Sequence, residues 1–235
     1  GDCATTSSLP GHGDILPLGG LHNLGLTCYV NSATQVLLRL MPVWRWLKQH
    51  AALCEVGVAG CATCALHGTG GQLGLPARPV LAARRTIVHQ SFVRGQHDVC
   101  EFVEHLIDAM RQRECISKRT AEWCGIDVAD GAPVATHVDK LFSFVEEERL
   151  ECAVCGTARR KFERATVLKL PLAPDLDQVW SVSELHLLAC SKEERPDFLV
   201  QCRSEICCRS QTVHAIQRRV VTCPRILLIQ IRRQA

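Results

Sequence analysis

The chain has 235 residues, 47% of them hydrophobic and 22% charged, with a formal net charge of +3. These proportions suit a globular protein of one large domain or two small ones. With no block of like charge and only 5% aromatic residues, a nucleic-acid partner is not expected.

No run of about 18 apolar residues is present to cross a membrane. Gly1 is followed by no charged-then-apolar leader, so an intracellular setting, cytoplasm or nucleus, is expected. In such a reducing setting the fifteen cysteines are better read as metal ligands plus a reactive thiol than as a disulfide framework.

Residues 1–18 are rich in Gly, Pro and Ser and read as a lead-in to a domain over 19–235. After the turn chemistry of GGLHNLGLT, residues Tyr29, Ala33, Val36, Leu37 and Leu40 fall on one face of a helix that should end near Pro42. A Cys-rich stretch, CEVGVAGCATCALH, occupies 54–67, and GTGGQLGLPARP reads as a loop. Val99, Phe102, Val103, Leu106, Ile107 and Met110 then repeat at helical spacing, with Asp98 and Glu101 placed to cap the start.

From about residue 138 the texture becomes strand-like, in KLFSFVEEERLECAVCG, ARRKFERATVLKLPL and RRVVTCPRILLIQIRR. SVSELHLLACSKEE keeps helical spacing between them. Helices first and strands later imply an α+β fold. The helical part is expected over 19–125 and the strand-rich part over 126–235.

Cys28 stands where a glycine turn gives way to a helix. The unpaired N–H groups and dipole of a helix N-terminus favour a thiolate there. Asn23, five residues earlier, could aim its amide at the same place as an oxyanion donor. From the residues alone, Cys28 is either a nucleophile or a small buried residue, and Asn23 either a donor or a turn-former.

CAVC (152–155) is a zinc-knuckle half-site, since one turn supplies two of the four thiolates that tetrahedral zinc needs. Cys202, Cys207 and Cys208 are available for the other half. In the earlier stretch, Cys54, Cys61 and Cys64 with either His67 or His50 could form a second, Cys3His site. Loop cysteines without metal remain the alternative there.

GLHNLGLTCYVNSATQ (20–35) closely resembles the Cys box of the ubiquitin-specific proteases, the ubiquitin carboxyl-terminal hydrolases, at Gly20, Leu21, Asn23, Gly25, Thr27, Cys28, Tyr29, Asn31, Ser32 and Gln35. GQHDVCEFVEHLIDAM resembles the family's second signature at Gln96, Asp98, Glu101 and Phe102, with His97 in place of a second Gln. CPRILLIQIRR resembles a later strand, expected to be buried, with Ile231 and Gln234 at the positions of a Leu and a Phe.

The resemblance implies a papain-like fold of helical thumb, strand-rich palm and zinc-ribbon fingers, incomplete at its C-terminal side. It implies a cysteine-type deubiquitinase acting on ubiquitin and ubiquitinated proteins, with Cys28 as nucleophile and Asn23 as oxyanion donor. It also implies structural Zn2+ on Cys152, Cys155, Cys202 and Cys208, with Cys207 as the alternative to Cys208, and no organic cofactor.

The family's base is a His in a Gly-His-Tyr-like box beyond the last strand. No histidine follows His214, which matches nothing catalytic, and His22 is a poor substitute. A fragment of a longer enzyme is therefore expected. A ubiquitin-binding pseudoenzyme and a zinc-binding interaction module are the alternatives. His97 and His105 are expected on the surface.

Overall fold

The computed structural model describes residues 20–23, 25, 27–70, 97–116, 136–172, 175, 177–205, 207 and 211–232. The lead-in at 1–18 and residues 71–79 of the expected loop lie outside the described residues, while Gly68, Thr69 and Gly70, expected to open that loop, are helical. The chain divides into two compact units, Gly1–Val138 and Asp139–Ala235. The boundary expected at 125 falls within 117–135, also outside the described residues.

The first unit is helical: α1 (Cys28–Arg39), α2 (Met41–Leu53), α3 (Ala62–Gly70) and α4 (Val99–Ile116). α1 buries Tyr29, Val30, Ala33, Thr34, Leu37 and Leu38, while Val36, expected on this face, is 58% exposed. At about 100° per residue, Val36 lies just beyond one edge of the buried arc, and Val30 and Thr34 fill its centre. The helix ends at Arg39, near Pro42 as expected, and Pro42 itself opens the next helix. It sits in the first turn of α2, where its missing N–H would have no helical partner anyway.

α4 starts on Asp98, whose carboxylate accepts from the N–H groups of Cys100 (2.7 Å) and Glu101 (3.1 Å). Phe102, Leu106, Ile107 and Met110 are buried along one stripe, and Phe102 meets the edge of Tyr29 at 5.5 Å between centroids. Glu114, further along, is fully buried. It accepts from the Trp46 indole N–H (2.9 Å) and the Val138 N–H (3.2 Å).

A short helix α5 (His137–Phe142) precedes the strands. Residues 140–142, expected to open the first strand, are helical instead. Val138, Leu141 and Phe142 are buried at i, i+3 and i+4, and the Ser143 N–H closes the turn on the Asp139 carbonyl.

The second unit holds β1 (Phe144–Cys152), β2 (Ala158–Ala165), β3 (Val167–Leu170), α6 (Val182–Ala189), β4 (Glu193–Val200), β5 (Thr212–Val220) and β6 (Leu228–Ile231). An antiparallel sheet runs β2-β1-β5-β4, and β3 pairs parallel with β6. Phe144, Leu168, Leu170 and Leu185 make a core, flanked by Trp180 and Val220. The strand expected to be buried at the end, β6, alternates instead, with Ile229 and Ile231 exposed. Among the described residues it pairs with β3 alone, so its other edge has no strand beside it.

Candidate functional site: a helix-end thiol and two Cys/His tetrads

Cys28 is the first residue of α1, and it is exposed. Its carbonyl accepts from Ser32 Oγ, and among the described residues no hydrogen bond joins its sulfur to a histidine. Asn23 stands on the turn before the helix, past which Gly25 takes φ +86°, a left-handed conformation that glycine adopts without a Cβ penalty. Asn31 Nδ2 donates to the carbonyls of Leu21 (3.4 Å) and His22 (3.2 Å), tying this turn to α1. His22 is exposed, and His97 is half-buried, edge-on to Tyr29 at 5.8 Å. His105 is half-buried as well. His214 is buried in β5, where its Nδ1 lies 3.0 Å from the Thr212 carbonyl.

At one end of the antiparallel sheet, four thiols converge: Cys152, Cys155, Cys202 and Cys207. Cys152 closes β1, and the turn that follows holds Cys155. The Cys152 N–H donates to the Thr157 carbonyl (3.0 Å), the Gly156 N–H donates back to the Cys152 carbonyl (2.9 Å), and Gly156 takes φ +69°. Cys202 and Cys207 come from the connection between β4 and β5. Cys207, the alternative fourth ligand, occupies the place given to Cys208, which lies outside the described residues.

The sulfurs of Cys152 and Cys207 are 3.9 Å apart and those of Cys155 and Cys202 3.6 Å. A tetrahedron with Zn–S bonds of about 2.3 Å has an edge of about 3.8 Å, so the set fits zinc. The Thr212 hydroxyl and the Cys155 N–H hold the Cys152 thiol down at about 5. Burial and the neighbouring thiols push Cys207 up to about 12. Packed thiols of this kind resist ionising together, and a divalent cation would relieve that.

The second tetrad lies in the helical unit and comprises His50, Cys54, Cys61 and Cys64. His50 is in the last turn of α2, and Cys54 is its C-cap. Cys61 accepts the first backbone bond of α3, and Cys64 sits in the first turn of that helix. All four donor atoms lie within 4.8 Å of one another.

His50 Nε2 is 3.2 Å from Cys61 Sγ, close to the roughly 3.5 Å of a zinc-bound N/S pair. The neighbouring Cys64 thiol, together with His50, lowers Cys61 to about 3, while Cys64 is raised. The structure thus chooses between the two candidate histidines. His67 instead stacks on Trp44, with centroids 5.1 Å apart, and burial lowers its pKa. All described cysteines are free thiols.

The sequence profile of the ubiquitin carboxyl-terminal hydrolases matches residues 19–235. The chain belongs to this family. Ubiquitin carboxyl-terminal hydrolase 36 of Drosophila simulans is 25% identical over 224 residues, covering 91% of this chain and 22% of that protein. Ubiquitin carboxyl-terminal hydrolase 32 of Drosophila melanogaster is 27% identical over 187 residues, 65% of this chain and 10% of that protein. The chain therefore spans about a fifth or less of the length of these hydrolases.

Among solved structures, the SAGA Ubp8/Sgf11/Sus1/Sgf73 DUB module bound to ubiquitin aldehyde matches with a TM-score of 0.73 at 20% identity, covering 97% of this chain and 50% of that one. A yeast SAGA DUB module with a mutant Sgf73 matches at 0.72 and 21%, covering 98% and 50%. At these identities the likeness establishes the fold, which is that of a ubiquitin carboxyl-terminal hydrolase.

Two features of this chain have no clear signal in the sequence. The hydroxyl of Thr27 turns back to Asn23 rather than to its own helix. Glu114 reads as a surface residue of an amphipathic helix, yet it is the buried acceptor that joins α2 and α4 to the start of α5.

Proposed function

We propose that this chain carries the nucleophile of a thiol-dependent deubiquitinase that cleaves the peptide or isopeptide bond after the C-terminal glycine of ubiquitin. The observation that carries the reading is the exposed Cys28 at the first position of α1, five residues after Asn23, in a chain of this family. The Cys28 thiolate attacks the scissile carbonyl, forming a C–S bond and an oxyanion. Asn23 Nδ2 and backbone N–H groups at the start of α1 stabilise that charge. The C–N bond then breaks, the amine leaves with a proton, and water hydrolyses the thioester to free both thiol and ubiquitin carboxylate.

The proton carrier in the family is a histidine of a Gly-His-Tyr-like box, which these 235 residues do not contain. Zinc on each tetrad would cross-link its surroundings and take no part in the chemistry. Ubiquitin as partner is supported by the related module that was solved bound to ubiquitin aldehyde.

The test is covalent labelling of the full-length protein with ubiquitin bearing a C-terminal electrophile. Labelling is expected, and Cys28→Ala should abolish it. Ubiquitin binding without labelling would identify a pseudoenzyme. Zinc retained without ubiquitin binding would leave an interaction module.

A further inference from the structure

We infer that Thr27 is a positioning residue that fixes the orientation of the Asn23 amide, so that Nδ2 and not Oδ1 is presented to the oxyanion. The inference rests on the deubiquitinase reading above and adds to it a residue that touches neither substrate nor reacting atoms.

Threonine at the N-cap of a helix ordinarily turns its hydroxyl to the N–H of the second or third helical residue. Thr27 holds that position before α1, yet it makes no side-chain cap bond, and its φ of −109° and ψ of 11° lie away from the extended N-cap conformation. Its hydroxyl instead donates to Asn23 Oδ1 at 2.8 Å. Its backbone N–H, shared with the Gly25 carbonyl, also points at Oδ1, at 3.4 Å.

An asparagine amide has one accepting end and one donating end, and its neighbours decide which way it faces. The Thr27 N–H can only donate. Turning Nδ2 toward it would set donor against donor, so Oδ1 is held against Thr27 and Nδ2 faces away. Nδ2 has no hydrogen-bond partner among the described residues, and Asn23 is exposed, while Thr27 is only 8% exposed. The diverted hydroxyl has a second consequence. Thr27 gives the first turn of α1, beside Cys28, no side-chain cap of its own. Thr27 thus bears on both kinds of donor the oxyanion needs, on the Asn23 amide through its N–H and its hydroxyl together, and on the helix start through where that hydroxyl points.

The experiment is a double-mutant cycle on the full-length protein, read as kcat and KM on a ubiquitin C-terminal fluorogenic amide, with melting temperatures alongside. Thr27→Val removes the hydroxyl and keeps the shape. It should lower kcat about tenfold with KM nearly unchanged, a fraction of the roughly 10²–10³-fold that losing an oxyanion donor costs. Thr27→Ser should restore most of the rate. In an Asn23→Ala background, Thr27→Val should lower kcat no further, because the group it orients is gone.

Additive losses, a serine variant as slow as the valine, or an effect confined to KM would each overturn the inference. If the valine variant does not fold, Thr27→Ala takes its place. Preference for ubiquitin aldehyde over ubiquitin then reads the same donors at equilibrium, and an unchanged preference in that variant would likewise overturn the inference. A wild-type protein that neither turns over nor prefers the aldehyde would overturn this inference and the deubiquitinase reading together. A competent wild type matched by Thr27→Val would overturn this inference alone.

Discussion

The helical unit and the sheet unit each bring four metal-capable side chains together, but they do so over very different lengths of chain. In the helical tetrad His50 meets Cys61 across 11 residues, and a helix end and a helix start supply the geometry. In the sheet tetrad Cys152 meets Cys207 across 55 residues, and two turns at the end of an antiparallel sheet must be in register first. Loop-closure entropy grows with the logarithm of length. Cross-linking the longer loop should therefore stabilise the fold by about 1.4 kcal/mol more than cross-linking the shorter one. The sheet tetrad consolidates a fold that is already paired, while the helical tetrad ties two neighbouring helix ends.

The largest expected effect breaks this comparison at the metal. Cys207→Ser and Cys64→Ser should each remove one zinc ion per full-length chain, measured by elemental analysis of the purified protein. Cys207→Ser should lower the melting temperature further than Cys64→Ser. Cys208→Ser should leave the zinc content unchanged. Loss of zinc in the Cys208 variant with retention in the Cys207 variant would reverse the ligand assignment at the sheet.

The two units also bury carboxylates by different means. Glu114 in the helical unit is held by neutral donors, the Trp46 indole, the Val138 backbone N–H and the Thr136 hydroxyl, and all are buried with it. Glu147 in β1 has 3% of its side chain exposed, but its partners Arg160 and Arg219 are 59% and 64% exposed. Removing Glu114 strands donors that cannot reach water, whereas removing Glu147 frees arginines that rehydrate at once. Glu114→Ala is therefore expected to cost about 2–4 kcal/mol and Glu147→Ala about 1 kcal/mol, read from urea midpoints at constant slope. Equal losses would show that burial of the carboxylate alone sets the cost. Glu114→Gln should fall between wild type and alanine, because its one oxygen still accepts while its NH2 group cannot serve the donors that the other carboxylate oxygen serves.

What can be read in the sequence follows the same division. The stripe of α4, the Asp98 cap and the CxxC turn at 152 are set by neighbours within a few residues, so pattern and spacing reveal them. The fourth thiol is not legible. Cys207 and Cys208 are adjacent, and the connection between β4 and β5 has no period that could say which of them turns inward. His50 and His67 are equally open in the sequence, because both flank the cysteines, and it takes the placement of His50 beside Cys61 and of His67 on Trp44 to separate them. Residues 140–142 run into the apolar texture of β1 without a break, and three residues are too few for their helical spacing to show. In the Cys box, Thr27 is visible as part of a motif, but the direction of its hydroxyl is not.

The smallest effect concerns the helix starts. α4 has 18 residues and a buried stripe behind its Asp98 cap. α6 has eight residues and buries only Leu185, and Ser181 and Glu184 bond reciprocally at its start. Losing a cap costs typically about 1 kcal/mol in either place, but the consequences should differ. Asp98→Ala should leave α4 amides protected from hydrogen exchange, because packing holds the helix. Ser181→Ala should expose the α6 amides, because little else does. The Ser181 N–H and hydroxyl hold the Glu184 carboxyl below its usual range. A carboxyl depressed in the folded state stabilises above its unfolded pKa, about 4.3, and that contribution is lost as pH falls through the lower folded value. The difference between wild type and Ser181→Ala in α6 protection should thus be full at neutral pH and shrink on acidification below about 4. A difference that persists unchanged in acid would mean that the serine hydroxyl alone, and not the reciprocal bond, holds the helix start.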